Sequence, residues 1–372
     1  MLITAAVLAI FVYGMIAAML GTILPNLSER FHLTPKQNGN IAFAQAIGLI
    51  IASVSVGPLI DNFGKKPGLV LGLTLIAIAL FALPKAKGYG MIMAYMLLLG
   101  LGGGIIVTGA NALVSDISQD KRASVMNFLN LFFGLGGLAT PFISANLLKK
   151  DSVKLCYLVA VFTAGVLILH ASVAMPAPTG TQSFQMAEAG QLLTSPTLWL
   201  LALMLFLYVT CECGVWNWLA RHLIAQGISE SRALNILSLG FALGLLLGRV
   251  AVSPILITVP AATVTLWAAV LMAVTTYIAL QARTVTMAGI AVFCAGLAMA
   301  PVFPTTLAMV GNAFPRGTAT AMGIVITCGW IGLAVSSPII GAIAGGDPKR
   351  LKKALLLLPA ASLVMVVLNL AL

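Results

Sequence analysis

The chain has 372 residues, of which 60% are hydrophobic and 8% are charged, whereas a soluble domain carries about a quarter charged residues. This composition excludes a soluble fold, because so apolar a chain needs a lipid bilayer around it. The formal net charge of +11 does not indicate a nucleic-acid partner, since the basic residues stand in short, separate clusters between apolar runs, as is typical of solvated helix flanks.

Long apolar runs predict the elements. A bilayer core about 30 Å thick takes about 20 residues of helix, and runs such as 91–114 lack the period of two that would indicate barrel strands. Residues 2–24 have no basic leading segment and no small-residue cleavage site, so we expect the first span there and not a signal peptide. Polar loops, prolines and glycines bound the predicted helices, at 2–24, 38–60, 67–84, 90–115, 122–148, 153–174, 196–220, 232–253, 261–281, 285–311, 317–343 and 353–371.

The predicted helices divide into two groups of six. Residues 175–195 contain no long apolar run and are interpreted as a cytoplasmic linker between an N-terminal bundle, 1–174, and a C-terminal bundle, 196–372. Glycine-containing segments at equivalent helices support a duplicated six-helix unit. These echoes pair Gly57-Pro-Leu-Ile-Asp61 with Gly244 to Arg249, Gly100-Leu-Gly with Gly296-Leu-Ala, and Gly137 to Pro141 with Gly332 to Pro338. The sequence therefore predicts an all-α membrane protein of twelve transmembrane helices in two six-helix bundles.

The connection after the second predicted helix carries a recognisable motif, Gly57-Pro-Leu-Ile-Asp61-Asn-Phe-Gly64-Lys65-Lys66. It resembles the loop G-x-L-x-D-x-x-G-R/K-R/K that marks the major facilitator superfamily. The resemblance implies that Asp61 braces the cytoplasmic ends of neighbouring helices when the transporter faces outward. Its partner would be either the positive N-terminal end of the eleventh helix near Gly317, or Lys121 and Arg122. The gating residues expected on this basis are Gly57, Asp61, Gly64, Lys65, Lys66 and Arg249.

Within that superfamily the chain is similar to the fucose:proton symporter group and its sodium-dependent glucose transporter relatives. The similarity covers a small part of the chain, namely Gly100-Leu-Gly-Gly-Gly with Asn111, Asn127 to Gly136, Leu207-Tyr-Val-Thr-Cys-Glu212, and Pro301-Val-Phe-Pro304-Thr. The fucose symporters are expected to carry acids in the first and fourth helices. Here the first helix has no carboxylate, Val107 stands at the second position, and Asn130 replaces a frequent histidine. These departures put proton coupling by that group's route in question.

One carboxylate of the nine in the chain lies well inside a span, and this is Glu212. A charge at that depth costs at least about 2.5–3.5 kcal/mol unless it is paired or faces water, so an intramembrane acid is a functional candidate. Tyr208 and Trp216 share its helical face, and Asn217 stands beside it. An indole next to amide and carboxyl groups suits a sugar. Glu212 is expected to bind substrate and to couple an ion, although a protonated carboxyl bonding between helices would explain it as well.

Other buried polar groups face inward, since an unpaired amide in lipid is unfavourable. For each of them a substrate contact and a helix–helix hydrogen bond are equally compatible with the sequence, and Trp216 could belong to an interfacial aromatic belt instead. The substrate-binding residues predicted on these grounds are Glu212, Trp216, Asn217, Tyr208, Asn130, Asn111, Asn127, Gln45 and Trp330.

No cofactor or metal is expected. The five cysteines lie in apolar segments, and those of Cys211-Glu-Cys213 point to different helix faces. Enzyme activity is not expected, because no Ser-His-Asp, metal-ligand or phosphate-loop pattern is found. Nucleic acid is not an expected partner, and the chain is expected to act as a monomer in a lipid bilayer.

The resemblance and Glu212 together predict a secondary active transporter of a small polar solute, most simply a hexose-like sugar, in symport with H⁺ or Na⁺. A drug or metabolite exporter of the same superfamily, and a non-transporting membrane sensor, are the alternatives. The expected location is the cell (inner) membrane with both termini in the cytoplasm. The positive-inside rule opposes this orientation, because six basic residues would lie on the cytoplasmic side and fourteen outside.

Overall fold

The computed structural model describes residues 1–176, 190–345 and 347–372. Among these residues all regular structure is helical, and twelve helices are long and apolar enough to cross a membrane. They are α1 (Leu2–Phe31), α2 (Lys36–Phe63), α3 (Lys65–Lys85), α4 (Tyr89–Ile117), α5 (Gln119–Leu147), α6 (Ser152–Ser172), α7 (Pro196–Ala225), α8 (Glu230–Ile255), α9 (Ala261–Gln281), α10 (Val285–Ala313), α11 (Thr318–Ala344) and α12 (Pro348–Leu370). The predicted fold class is confirmed.

The observed helices extend the predicted ones mainly at their polar ends. Helix α1 continues through Pro25 to Phe31, although Pro25 removes the amide that would bond to the carbonyl four residues earlier. Helix α12 begins at Pro348, five residues before the predicted start, because the Asp347 side chain accepts a 2.8 Å hydrogen bond from Lys349 N and caps a basic first segment. The length of an apolar run predicts a membrane span, whereas capping residues determine where the helix begins.

Local capping chemistry fixes other helix ends. Thr34 and Gln37 form a reciprocal capping box at the start of α2, with Thr34 Oγ1 accepting from Gln37 N and Gln37 Oε1 accepting from Thr34 N. Asp151 caps α6 by accepting from Lys154 N. Gly64 ends α2 with φ of 90°, a conformation that glycine adopts without steric penalty. The chain can therefore turn directly from α2 into α3.

The structure contains two compact units. Unit 1 consists of Met1–Ser118, Leu129–Leu192 and Phe314–Thr327, and unit 2 consists of Gln119–Phe128, Leu193–Ala313 and Cys328–Leu372. The first part of α5 thus packs within unit 2, and the first half of α11 packs within unit 1. The predicted linker at 175–195 falls mostly outside the described residues, so the domain boundary placed there stays a prediction.

A repeated glycine contact joins one helix pair in each unit. In unit 1, a Cβ added to Gly100 of α4 would lie 2.1 Å from the carbonyl oxygen of Gln45 in α2. In unit 2, a Cβ added to Gly296 of α10 would lie 2.4 Å from the carbonyl oxygen of Phe241 in α8. Gly296 and Phe241 follow Gly100 and Gln45 by the same number of residues. The predicted echo between the two glycine segments is therefore a repeated backbone contact.

The repeated contact also corrects one of the predicted pairs of equivalent glycine segments. The counterpart of Gly244 is Gly48, since a Cβ on either would meet the partner helix at the equivalent carbonyl, that of Phe293 or Leu97. Pairing the segment that begins at Gly57 with the one that begins at Gly244 was therefore wrong in register. When several glycines lie on one helix face, sequence spacing alone does not show which of them are equivalent in the two units.

Among the described residues, three helices contain short π-helical segments and two are interrupted, namely α10 and, at Leu356, α12. The π segments are Ile143–Leu147 in α5, Val215–Leu219 in α7 and Ile236–Phe241 in α8. Helix α10 consists of Val285–Met299 and Val302–Ala313, separated by a turn at residues 300–301. Such interruptions are frequent at functional sites, because they free backbone groups and re-aim side chains. Those of α7, α8 and α10 all lie in unit 2.

Candidate functional site

Glu212 lies in unit 2 on α7, just before the π segment Val215–Leu219. The residue is half-buried, one turn from the fully buried Tyr208 and one turn from Trp216, which is 38% exposed. The Tyr208 hydroxyl and the Trp216 indole N–H both lie close enough to interact with the Glu212 carboxyl. The Tyr208 hydroxyl nevertheless meets no partner at regular hydrogen-bond geometry within the described residues. The three side chains form one polar face of α7.

Arg249 is the charged residue that acts on Glu212 from a second helix. It lies in α8 with 5% of its surface exposed, and its guanidinium attracts the Glu212 carboxylate. From sequence, Arg249 is expected to be a gating residue within the predicted helix 232–253. Helix α8 runs from Glu230 to Ile255, so Arg249 is a cation inside a span, and its gating role stays a prediction.

A backbone break holds Arg249 in position. Pro304 has no amide hydrogen to give to the carbonyl of Ala300, one turn earlier in α10. The Arg249 Nε atom donates to that carbonyl oxygen at 3.4 Å. The proline therefore leaves a free acceptor within the span, and the hydrogen bond from Arg249 to it helps to accommodate a buried guanidinium.

Trp216 sits where the π segments of α7 and α8 meet. Its ring packs edge-on against Phe241, with centroids 5.2 Å apart and an interplanar angle of 78°. Asn217 is exposed, and its Nδ2 donates to the Ser337 hydroxyl of α11 at 2.8 Å. Trp330 of α11 is half-buried. Phe241 fixes one edge of the Trp216 ring and leaves part of the ring accessible.

Two of the predicted polar residues of unit 1, Asn111 and Asn130, are bonded to each other. Asn130 of α5 donates through Nδ2 to Asn111 Oδ1 at 2.9 Å, and Asn111 Nδ2 donates to the Val107 carbonyl at 2.7 Å. Both asparagines are buried. Gln45 of α2 is also buried, and its backbone carbonyl lies against Gly100. The Asn111 and Asn130 amides therefore form a hydrogen bond between α4 and α5.

Asn127 lies three residues before Asn130 but belongs to the other unit. Its Nδ2 donates to the Thr305 hydroxyl of α10 at 2.9 Å and to the Ala123 carbonyl at 3.0 Å. Its Oδ1 has no partner within the described residues. One turn earlier, the Arg122 guanidinium donates to Asn312 Oδ1. The structure does not bring Asn127 together with Asn111 and Asn130.

The motif residues form a cluster at one end of unit 1. Asp61 Oδ1 accepts from Ala319 N at 3.1 Å, and Oδ2 accepts from Thr320 N at 2.8 Å and from the Thr320 hydroxyl at 2.7 Å. A Cβ added to Gly57 would lie 2.4 Å from Thr320 Cα. The carboxylate thus meets the amides in the first turn of α11, where the helix dipole favours a negative charge. Of the two partners considered from sequence, this is the one present.

The lysines of the motif play different parts. Lys65 is 3% exposed and forms an ion pair with Asp116 at the end of α4, whereas Lys66 is half-buried. Gly64 supplies the positive φ between α2 and α3. Sequence reasoning missed Asp116 and Thr320, which carry no motif signal of their own. The relation of Arg249 to Glu212 was also missed, although a cation inside an apolar run is as informative as an acid.

Metal binding finds no support in the side chains. The described residues contain no group of three or more His, Cys, Asp or Glu side chains that could hold a metal ion.

The sequence matches a known family over most of its length. A sequence model described as Major Facilitator Superfamily matches residues 6–337. Bypass of stop codon protein 6 of Saccharomyces cerevisiae is 24% identical over 273 residues, covering 66% of this chain and 55% of that protein. Sodium-dependent glucose transporter 1 of Rattus norvegicus is 31% identical over 133 residues, covering 35% and 27%. The 4-hydroxybenzoate transporter PcaK of Pseudomonas aeruginosa is 28% identical over 143 residues, covering 38% and 32%. The chain thus spans about half the length of the first relative and less of the other two.

Solved structures share the fold. The Escherichia coli fucose:proton symporter FucP superposes with a TM-score of 0.86 at 17% identity, covering 99% of this chain and 98% of that chain. The human organic anion transporter MFSD10 gives 0.83 at 16% identity, covering 99% and 98%. The proton:xylose symporter XylE gives 0.79 at 15% identity, covering 98% and 94%. At these identities the likeness establishes the fold alone.

Proposed function

Because the chain belongs to the Major Facilitator Superfamily, we propose that it is a secondary active transporter that moves a hexose-like sugar by alternating access in symport with H⁺ or Na⁺. The observation that carries this proposal is the half-buried Glu212 between Tyr208 and Trp216, under the influence of Arg249. Two relatives in fold are titled sugar symporters, and one in sequence is titled a sodium-dependent glucose transporter. Those names support the choice of solute class.

The sugar assignment follows from the chemistry of the α7 face. A sugar ring presents C–H groups on its faces and hydroxyls at its edge, so it binds where an aromatic plane adjoins directional hydrogen-bonding groups. Trp216 offers the plane, since its contact with Phe241 is T-shaped and part of the Trp216 residue stays exposed. Glu212 and Asn217 offer the polar contacts. The amides Asn111, Asn127, Asn130 and Gln45, and Trp330, are secondary candidates, because several already have partners within the protein.

The coupling assignment follows from the Glu212 and Arg249 charges. Binding of a proton or Na⁺ to the carboxylate removes its attraction for the guanidinium, and that attraction is stronger in a protein interior than in water. A ligand shifts a conformational equilibrium only through a difference in its interaction with the two states. The attraction between Glu212 on α7 and Arg249 on α8 differs between two states if those helices move, so an ion bound to Glu212 would favour one state.

The motif cluster supports a gating role. The Asp61 carboxylate bonds the first turn of α11 through two amides and one hydroxyl. We propose that this contact stabilises one state of the cycle and must break in the other, with 1–174 and 196–372 as the bundles that move and 175–195 as a cytoplasmic linker. The protein would be a monomer in the cell (inner) membrane, with both termini in the cytoplasm.

A second candidate solute is an organic acid. The buried Arg249 guanidinium is suited to a carboxylate, which it can bind through two parallel hydrogen bonds. One relative is titled a 4-hydroxybenzoate transporter, and one solved structure is titled an organic anion transporter. A metabolite transporter of this kind could work as an exporter.

Uptake into proteoliposomes tests the proposal. The purified protein would be given a panel of radiolabelled hexoses, pentoses and aromatic acids, with pH and Na⁺ gradients imposed separately. We expect accumulation of a sugar under one gradient and not the other, which names the coupling ion. Accumulation of acids alone would replace the sugar proposal with the second candidate. Binding of solute without movement under any gradient would contradict transport.

A further inference from the structure

A cavity of about 210 Å³ lies at one end of unit 1, away from the Asp61 cluster. It is bounded by the end of α1, the end of α3 and the start of α6. Its polar lining consists of Asn26, Arg30, Lys150, Asp151 and Ser152. The apolar lining includes Ile23, Leu27, Leu83 and Cys156, all of them buried. A ligand that fills this cavity must therefore have both a charged and an apolar part.

Two cations face the cavity. Arg30 is held in place by a 3.1 Å hydrogen bond from Nη1 to the Pro84 carbonyl, and a guanidinium carries five N–H donors, so others remain for a ligand. Lys150 follows α5 and has no ion-pair partner within the described residues. The two side chains converge from different segments, which suits recognition of an anion with several oxygen atoms.

The one acid in the lining is already engaged. Asp151 accepts from Lys154 N at 3.0 Å and pairs with Lys154 Nζ at 3.2 Å. The backbone hydrogen bond from Lys154 lowers the pKa of Asp151 below that of an ordinary aspartate. Its charge is balanced by Lys154, so Arg30 and Lys150 leave the cavity positive.

The segments around the cavity also carry a net positive charge. The three connections at this end of unit 1, namely 29–36, 83–89 and 148–154, carry seven lysines and arginines and two acids. A dense basic cluster at the end of membrane spans attracts anionic lipid by about 1 kcal/mol per basic residue. A soluble anion would gain from the charge but not from the apolar lining.

We propose that this cavity binds the headgroup of an anionic phospholipid. The phosphate lies between Arg30 and Lys150, and the glycerol and first methylene groups lie along Ile23, Leu27 and Leu83. This proposal does not depend on the identity of the transported solute. It also gives a function to the basic clusters at this end of unit 1, which the positive-inside rule leaves unexplained on a face assigned to the outside.

Lipid binding to the purified full-length chain tests the proposal. Protein stripped of lipid in an uncharged detergent would be titrated with dioctanoyl phosphatidylglycerol, dioctanoyl phosphatidylcholine and inorganic phosphate, and bound lipid would be counted by native mass spectrometry. We expect phosphatidylglycerol to bind more tightly than the other two. The double variant Arg30→Gln/Lys150→Gln should lose about tenfold or more of this affinity.

A charge-matched control separates a site from general attraction. Arg283→Gln/Lys353→Gln removes two exposed basic residues from unit 2 and should leave the affinity within about twofold. An equal loss in both double variants would overturn the proposal in favour of diffuse attraction. Inorganic phosphate competing as well as the lipid would overturn it in favour of a soluble anion. Should the first variant misfold, Arg30→Lys, which keeps the charge, must retain binding in a folded protein.

Discussion

Helices α2 and α4 of unit 1 approach each other at Gly100 and the Gln45 carbonyl, and helices α8 and α10 of unit 2 repeat that approach at Gly296 and the Phe241 carbonyl. The polar chemistry beside the two pairs differs. Unit 1 has a neutral hydrogen bond between two asparagines, whereas unit 2 has an acid and a buried cation. Duplication has preserved the backbone contact and not the side chains. We therefore expect changes at the shared glycines to act alike in the two units, and changes of the polar groups beside each helix pair to alter ion dependence in unit 2 alone.

The largest effect should come from the shared glycines. Gly100→Ala and Gly296→Ala each place a Cβ within 2.4 Å of a backbone oxygen, so the helices must separate, at a cost of about 1–3 kcal/mol or more in the free energy of unfolding. Gly21→Ala is the control, since nothing lies within 4 Å of its Cβ. Reversible unfolding in mixed micelles would measure all three. A large loss in one unit only would break the proposed equivalence.

The next effect concerns Arg249. Arg249→Gln should reduce transport about tenfold or more, because it removes the cation that attracts Glu212 and leaves the Ala300 carbonyl without its guanidinium donor. The double variant Arg249→Gln/Glu212→Gln should lose less than the sum of the single changes, by about 1–2 kcal/mol. Strict additivity in initial rates of uptake and in stability would show that the two charges act independently.

A smaller effect is expected at the motif. Asp61→Asn weakens the bonds to Ala319 N and Thr320 N and removes the charge that the α11 dipole favours, which is worth about 0.3–1 kcal/mol. Transport should slow several-fold while solute binding persists, because Asp61 is inferred to stabilise a state and not to touch solute. Equilibrium binding and transport rate, measured on the same preparation, would separate the two. Loss of binding in a folded variant would refute the gating role.

The smallest effect should come from the asparagine pair. Asn111→Ala and Asn130→Ala remove an interhelical hydrogen bond, and such bonds in membranes average about 0.6 kcal/mol in double-mutant cycles. We expect a coupling of that size in stability and no change in ion dependence, because the pair is neutral. A changed ion dependence of uptake would mean that unit 1 also takes part in coupling.

Much of the fold was predictable because a bilayer requires a similar minimum length of apolar residues in every span. Apolar runs therefore located all twelve helices within the described residues, and an acid inside a span identified Glu212. Arg249 was predicted as a gating residue only, because its influence on Glu212 depends on the packing of α7 and α8, which the sequence does not show.

The neighbours of each helix face were not predictable. Asn127 and Asn130 stand three residues apart on α5, yet one bonds Thr305 and the other bonds Asn111, in different units. Sequence spacing defines a face of a helix, whereas the partner of that face depends on packing between segments far apart in the chain. The same reason hid Thr320 and Asp116 from motif analysis.

The central claim is that Glu212 couples an ion to solute movement, and Glu212→Gln tests it most directly. The change keeps the shape of the side chain and removes its charge, and Glu230→Gln, at an exposed position in α8, is the matched control. In proteoliposomes we expect Glu212→Gln to lose gradient-driven accumulation while it retains counterflow exchange of the solute, and the control to retain both. Unchanged accumulation by Glu212→Gln at every pH and Na⁺ concentration would contradict the account and make Glu212 a structural carboxyl.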